Sequence, residues 1–163
     1  MEYTHEMFLW QQTYATLFSV SNKLQVASDK FLGLLTSRQL MTMIAIAHLP
    51  KEEASLNRIA RKMGTTKQNV KQLVSAMEAK GYVSVVPSKT DKRAYSVEMT
   101  EKGRAVFTEC YNRGMLFFKE AFNGFSVNEL EVLWELLKKL YRFDGEEQDG
   151  FDESPTFEKE GDI

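Results

Sequence analysis

The chain has 163 residues, 43% of them hydrophobic, with 11 Phe, 8 Met and 6 Tyr, enough for a domain with a core of its own. No stretch approaches the roughly 20 apolar residues of a membrane helix, the start lacks the basic head and apolar run of a signal peptide, and a single cysteine makes no internal disulfide; a cytoplasmic protein that spans no membrane is predicted. The net charge of −2 hides a strong asymmetry: residues 144–163 carry nine acids and one base, Lys159, whereas residues 57–93 carry nine bases against Glu78 and Asp91. A basic window of this kind is the footprint of a phosphate-binding surface or, more plainly, a solvated face.

In chain order, Met7, Trp10, Tyr14, Leu17 and Phe18 recur at helical spacing in a stretch free of Pro and Gly, predicting a first helix from Glu6 to about Ser28. Thr36 and Gln39 form a capping box for a second helix with Leu40, Met43, Ile44 and Ala47 as its buried stripe, ended by Pro50. Ser55 caps a short third helix with Leu56, Ile59, Ala60 and Met63 inward, and Gly64 turns the chain. Thr65 or Thr66 caps a fourth helix to about Lys80, where Val70, Leu73, Val74 and Met77 face inward. Two β-prone runs follow, Tyr82 to Val86 and Tyr95 to Thr100, joined by a basic connection; they predict a hairpin. Thr100 caps a fifth helix to about Phe122. Ser126 and Glu129 make a second capping box, opening a last helix with Leu130, Leu133, Leu137, Leu140 and Tyr141 on one side. The acidic remainder is predicted to be disordered.

Helix, tight turn, helix, strand, basic loop, strand is the order of a winged helix-turn-helix. The outward positions of the fourth helix are Lys67, Gln68, Asn69, Lys71, Gln72 and Ser75. The amides can pair with base edges and the lysines can neutralise phosphates. An ordinary surface helix would mix Glu with Lys, and this face has no acid before Glu78. Lys89, Lys92 and Arg93 at the hairpin tip suit a groove beside the site that the helix reads, and Asp91 is placed to orient the Arg93 guanidinium. With Thr66 at the helix start, these are the candidate DNA-binding residues.

Three sequence pieces sharpen this reading: Leu73, Val74, Met77, Glu78, Lys80, Gly81, Tyr82 and Val83; then Asp91, Lys92 and Arg93; then Val97, Met99, Thr100, Lys102 and Gly103. In this order and spacing, and with Leu35, Thr36 and Gln39 before the second helix, the chain from about Phe8 to Tyr141 resembles the MarR family of bacterial transcription regulators. The resemblance implies a homodimer joined through the first, fifth and sixth helices, a recognition helix in the major groove, and Arg93 in the minor groove steadied by Asp91. It also implies possible release from DNA by a small aromatic ligand bound between the dimer interface and the DNA-binding lobe. Departures from the family pattern, Ser75 and Ala76 after the Leu–Val pair and Val85 and Val86 in the strand, bear on the operator rather than on the architecture.

The expected fold is therefore mainly α with a small β-hairpin wing. Residues 1–34 form an N-terminal dimerisation helix, 35–100 the DNA-binding lobe, 101–143 the C-terminal dimerisation helices and 144–163 the acidic tail. Double-stranded DNA and a second copy of the chain are the expected partners, and repression from a pseudopalindromic operator the expected function. A protein–protein adaptor on the same fold and a DNA binder of low specificity are the alternatives. Trp10, Tyr14 and Phe18 are candidates for an aromatic ligand pocket, although such a stripe is commonly core or interface. Cys110, among Val106, Phe107 and Tyr111, reads as a buried structural thiol. His5 and His48 lack a ligand cluster, so no metal is expected. No phosphate loop, catalytic carboxylate pair or nucleophile triad is present, so neither an enzyme nor a cofactor is expected.

Overall fold

Each of the six helices among the described residues begins behind a hydroxyl residue. Thr4, Thr36, Ser55, Thr66, Thr100 and Ser126 accept, through their side chains, the backbone N–H of the residue three positions on. A hydroxyl cap of this kind contributes about 1 kcal/mol by occupying one of the donors that a helix start leaves unpaired. Both capping boxes read from the sequence form, Thr36 with Gln39 and Ser126 with Glu129. The Ser126 backbone and hydroxyl donors hold the Glu129 carboxyl below its usual value.

The computed structural model describes residues 3–50, 53–88, 94–145 and 151. The elements are α1 (His5–Leu32), α2 (Ser37–His48), α3 (Leu56–Lys62), α4 (Lys67–Ala79), β1 (Val83–Pro87), β2 (Tyr95–Met99), α5 (Glu101–Ala121) and α6 (Val127–Tyr141). The fold is mainly α with one antiparallel hairpin, its register running from Val83 opposite Met99 to Pro87 opposite Tyr95. Ser88 N–H donates to the Ala94 carbonyl and closes the hairpin beyond the strands, and Val97 N–H donates to the Ala54 carbonyl, tying β2 to the segment before α3. The wing-tip residues Lys89, Asp91, Lys92 and Arg93 lie outside the described residues, as does the tail predicted to be disordered, apart from Asp144, Gly145 and Phe151.

The core gathers around α2, α4 and α5, with Met43, Ile59, Val70, Met77, Val97, Phe107 and Cys110 all fully enclosed. Two details differ from expectation. Helix α1 continues to Leu32, which is buried, and Gly33 at φ +72° releases the chain. The inward side of α2 is Leu40, Thr42, Met43, Ala45 and Ile46, while Ile44 and Ala47 are only half-buried. Pressed between α1, α3, α4 and α5, α2 buries more than one stripe, which periodicity alone does not reveal.

α1 and α6 are built differently. Helix α6 has no buried residue, and its apolar side chains Val132, Trp134 and Leu136 stand about half exposed. Trp10, Tyr14 and Phe18 on α1 are 61%, 67% and 58% exposed. Among the described residues no helix is long and apolar enough to cross a membrane.

Candidate nucleic-acid interface

Helix α4 presents the face that the sequence assigned to it. Val70, Val74 and Met77 anchor its inner side, which leaves Lys67, Gln68, Asn69, Lys71, Gln72 and Ser75 exposed. Thr66 is exposed and occupied as the cap, its hydroxyl oxygen accepting from Asn69 N–H at 3.2 Å. The Asn69 side-chain amide donates to the Thr65 hydroxyl at 3.1 Å, so this amide is already engaged within the turn. Glu78, the one acid of the helix, turns away from this face: its carboxylate accepts the Val85 N–H of β1 at 3.3 Å.

The hairpin is locked to α4 by residues that lie some twenty positions apart in sequence. The Thr100 hydroxyl donates to the Gly81 carbonyl at 2.6 Å and its backbone N–H donates to Tyr82 O at 3.1 Å. The same hydroxyl oxygen accepts from Gly103 N–H at 2.9 Å. Lys102 Nζ donates to Lys80 O at 2.8 Å. The Tyr82 ring lies between two ammonium groups, Lys80 at 5.9 Å and Lys102 at 5.3 Å from its centroid, each within cation–π range. Gly103 sits directly on the Tyr82 backbone, so close that a Cβ there would overlap the Tyr82 carbonyl oxygen and lie 2.7 Å from its carbon. Gly81, Tyr82, the Thr100 cap and Gly103 thus form one junction, which sets the angle between α4, the wing and α5.

Trp10, Tyr14 and Phe18 occupy the exposed side of α1, with the Tyr14 and Phe18 rings 4.9 Å apart, and line neither of the two clefts found beside the helices. One cleft, of about 380 Å³, lies between α1, the start of α2 and α4, where Gln25, Val26 and Asp29 face Arg38 and Leu73. Arg38 Nε donates to Gln25 Oε1 at 3.0 Å, and Ser37 N–H donates to the Asp29 carboxylate at 2.6 Å. Sequence reasoning missed this cleft because its walls come from three separated segments. A second cleft, of about 560 Å³, lies between the helix-turn-helix turn at Gly64 and the end of α6 at Tyr141. Among the described residues no group of three potential ligands could hold a metal.

Cys110 is fully buried, its Sγ 3.5 Å from Leu32 O. Burial pushes its thiol pKa up, with hydrogen bonding to Leu35 and Leu34 opposing the shift. A thiol that is both enclosed and kept protonated is a poor nucleophile. Cys110 should therefore resist alkylation in the native protein at neutral pH and react fully only after denaturation; rapid native labelling would contradict its placement in the core.

Residues 34–94, from just after α1 to the residue before β2, match the sequence model of the MarR family. Over this segment the chain is similar to the MarR family. Among its relatives are the HTH-type transcriptional regulator YfiV of Bacillus subtilis, 32% identical over 84 residues, and the transcriptional activatory protein BadR of Rhodopseudomonas palustris, 32% identical over 95 residues. The chain spans about half the length of these relatives, 52% and 54%, and the matches take in 52% and 55% of the chain itself. Solved MarR-family structures share the fold. A mutant MarR of E. coli complexed with operator DNA is 21% identical with a TM-score of 0.67, covering 77% of this chain and 91% of that one. CouR of Rhodococcus jostii bound to p-coumaroyl-CoA is 20% identical with a TM-score of 0.70, covering 77% and 89%.

Proposed function

We propose that this chain is a sequence-specific, DNA-binding transcription regulator of the MarR type that acts as a homodimer. The observation that carries the reading is the outer face of α4: four exposed side chains, Lys67, Gln68, Lys71 and Gln72, with no acid among them. The helix presenting them is fixed to the wing through the junction at Tyr82 and Gly103. Gln68 and Gln72 read base edges in the major groove, Lys67 and Lys71 neutralise flanking phosphates, and the helix N-terminus at Thr66 adds a favourable dipole. The wing residues Lys89, Lys92 and Arg93, with Asp91 orienting Arg93, contact the adjacent minor groove. The E. coli relative's complex with operator DNA supports this use of the fold.

The exposed apolar sides of α1 and α6 support a homodimer that buries them. Two-fold symmetry then places the two copies of α4 about one turn of DNA apart, on an inverted repeat. We assign the dimer to repression. Release would follow when a small aromatic ligand with an acidic group enters the cleft between α1 and α4, where Arg38 supplies a cation and Leu73 connects directly to the recognition helix. The ligand complex of CouR supports a ligand-binding role on this fold.

Two substitutions test the interface by titration against an operator and against unrelated duplexes. Gln68→Ala should cost roughly 1–3 kcal/mol on the operator and much less on unrelated DNA, because the lost contact is to a base. Asn69→Ala should cost less than Gln68→Ala, since the Asn69 amide is held by Thr65. Arg93→Ala should weaken operator binding by a similar 1–3 kcal/mol and leave the dimer intact. Equal losses on every duplex for Gln68→Ala, or wild-type affinity for Arg93→Ala, would overturn these roles.

A further inference from the structure

Helix α6 meets its own chain at the turn of the helix-turn-helix. Two backbone bonds close that turn. Thr65 N–H donates to Ala60 O at 2.9 Å and Gly64 N–H donates to Arg61 O at 3.1 Å, with Gly64 at φ +61°. This is the pairing of a Schellman turn, and each carbonyl in it keeps a second lone pair. Tyr141, the last residue of α6, takes one of these: its hydroxyl donates to the same Arg61 O at 2.7 Å. Its ring lies against the glycine, 3.3 Å from where a Cβ on Gly64 would stand.

Nothing local requires this bond. Tyr141 and Arg61 are 80 positions apart, and a tyrosine at a helix end can leave its hydroxyl in water. The bond is made because the C-terminal end of α6 lies on the turn, where Leu137 and Leu140 line the same cleft as Gly64. Farther back, α6 leaves Val132, Trp134 and Leu136 about half exposed. Two residues past Gly64, Thr66 caps α4. The turn that Tyr141 holds therefore runs directly into the helix whose outer face carries Lys67, Gln68, Lys71 and Gln72.

We propose that Tyr141 is a positioning residue for DNA recognition: by fixing the turn before α4 to α6, it sets where the two copies of α4 stand relative to one another. The contact stands on its own, and its consequence rests on the dimeric DNA-binding reading. A dimer whose lobes are held firmly matches one half-site spacing. One base pair more or less displaces a half-site by about 3.4 Å and rotates it by about 35°. Without the hydroxyl bond the lobe samples several orientations, so the fitting one is less populated and the others are less disfavoured. Affinity for the best spacing then falls while tolerance of a wrong spacing rises. A residue that only supported the fold would lower binding at every spacing alike.

The test compares the full-length protein with Tyr141→Phe, which keeps the ring against Gly64 and removes only the hydroxyl. Backbone NMR reads the turn. The Gly64 and Thr65 amides should exchange with water faster in Tyr141→Phe, and the Gly81 amide, past the other end of α4, should keep its rate. Duplex titration reads the positioning, with the inverted repeat that the wild type selects from a random pool and with the same repeat lengthened or shortened by one base pair between half-sites. Tyr141→Phe should bind the selected repeat roughly three- to tenfold more weakly, the contribution of one hydrogen bond. Its penalty for the altered spacing should shrink by a similar factor. Unchanged exchange at Gly64 and Thr65 would overturn the contact. Faster exchange with the spacing penalty of the wild type would overturn the positioning role. If the wild type selects no inverted repeat, the DNA reading and the positioning role fail together, while the exchange rates still decide the contact.

Discussion

Replacing Leu136 by Glu should convert the proposed dimer to a folded monomer. Leu136 is 57% exposed within its own chain and lies on α6, a helix with no buried residue, so it contributes little to the fold of one copy. Val132, Leu133, Leu137 and Leu140 accompany it on the same helix, all at least one-third exposed. A continuous apolar surface of this kind marks an interface rather than a solvated face. Burying the rest of a leucine is worth about 1–1.5 kcal/mol, half of the full side-chain value, and a buried unpaired carboxylate adds a desolvation cost. A two-fold interface contains the residue twice. The summed loss is about 3 kcal/mol or more, above a hundredfold in the dimer dissociation constant. Sedimentation equilibrium should report a monomer with unchanged far-ultraviolet circular dichroism, and operator affinity should fall to that of a half-site. A dimer of wild-type stability would remove α6 from the interface.

Gly103→Ala should be the most damaging glycine-to-alanine change among the described residues. A Cβ at this position would overlap the Tyr82 carbonyl oxygen, and Tyr82 Cα would lie 3.1 Å away. The obstruction is backbone, so no side-chain rotation relieves it. The Thr100 cap and its bond to Gly81 fix the two segments against each other. Overpacking typically costs 1–3 kcal/mol and more where nothing can move; about 3 kcal/mol lowers the melting temperature of a chain of this size by roughly 6–12 °C. Operator binding should suffer beyond the loss of stability, because the shift falls on the junction that orients the wing against α4. Gly124→Ala is the control: no atom lies within 4 Å of its added Cβ. A melting temperature equal to wild type for Gly103→Ala would contradict the close approach.

The elements were legible because their signals are local. Five of the six hydroxyl caps, two capping boxes and the alternation of Tyr95, Val97 and Met99 each act within a few residues, and the hydrophobic spacing of α4 follows directly from its inner face. The face proposed to read DNA was legible by subtraction, as the side of α4 left over once Val70, Val74 and Met77 were turned inward. Burial was less legible. Aromatic residues spaced helically on α1 give the same pattern whether they meet their own core or a second copy, and Trp10, Tyr14 and Phe18 meet neither core nor cleft among the described residues. Contacts between distant segments left no local trace. The cleft at Arg38 and Leu73 and the hold of Tyr141 on Arg61 each join segments that no periodicity connects. The packing of Gly103 on Tyr82 is the intermediate case: both residues belong to the family pattern, which marks them without stating that they touch.

Recognition of a specific DNA sequence by a symmetric dimer of this chain is what the proposed function requires. Selection of bound duplexes from a random pool, with full-length protein at near-physiological salt, tests it most directly. The expected result is enrichment of an inverted repeat with half-sites about one helical turn apart, lost when Gln68 and Gln72 are both replaced by Ala. A pool that stays random while the protein remains a folded dimer would contradict it.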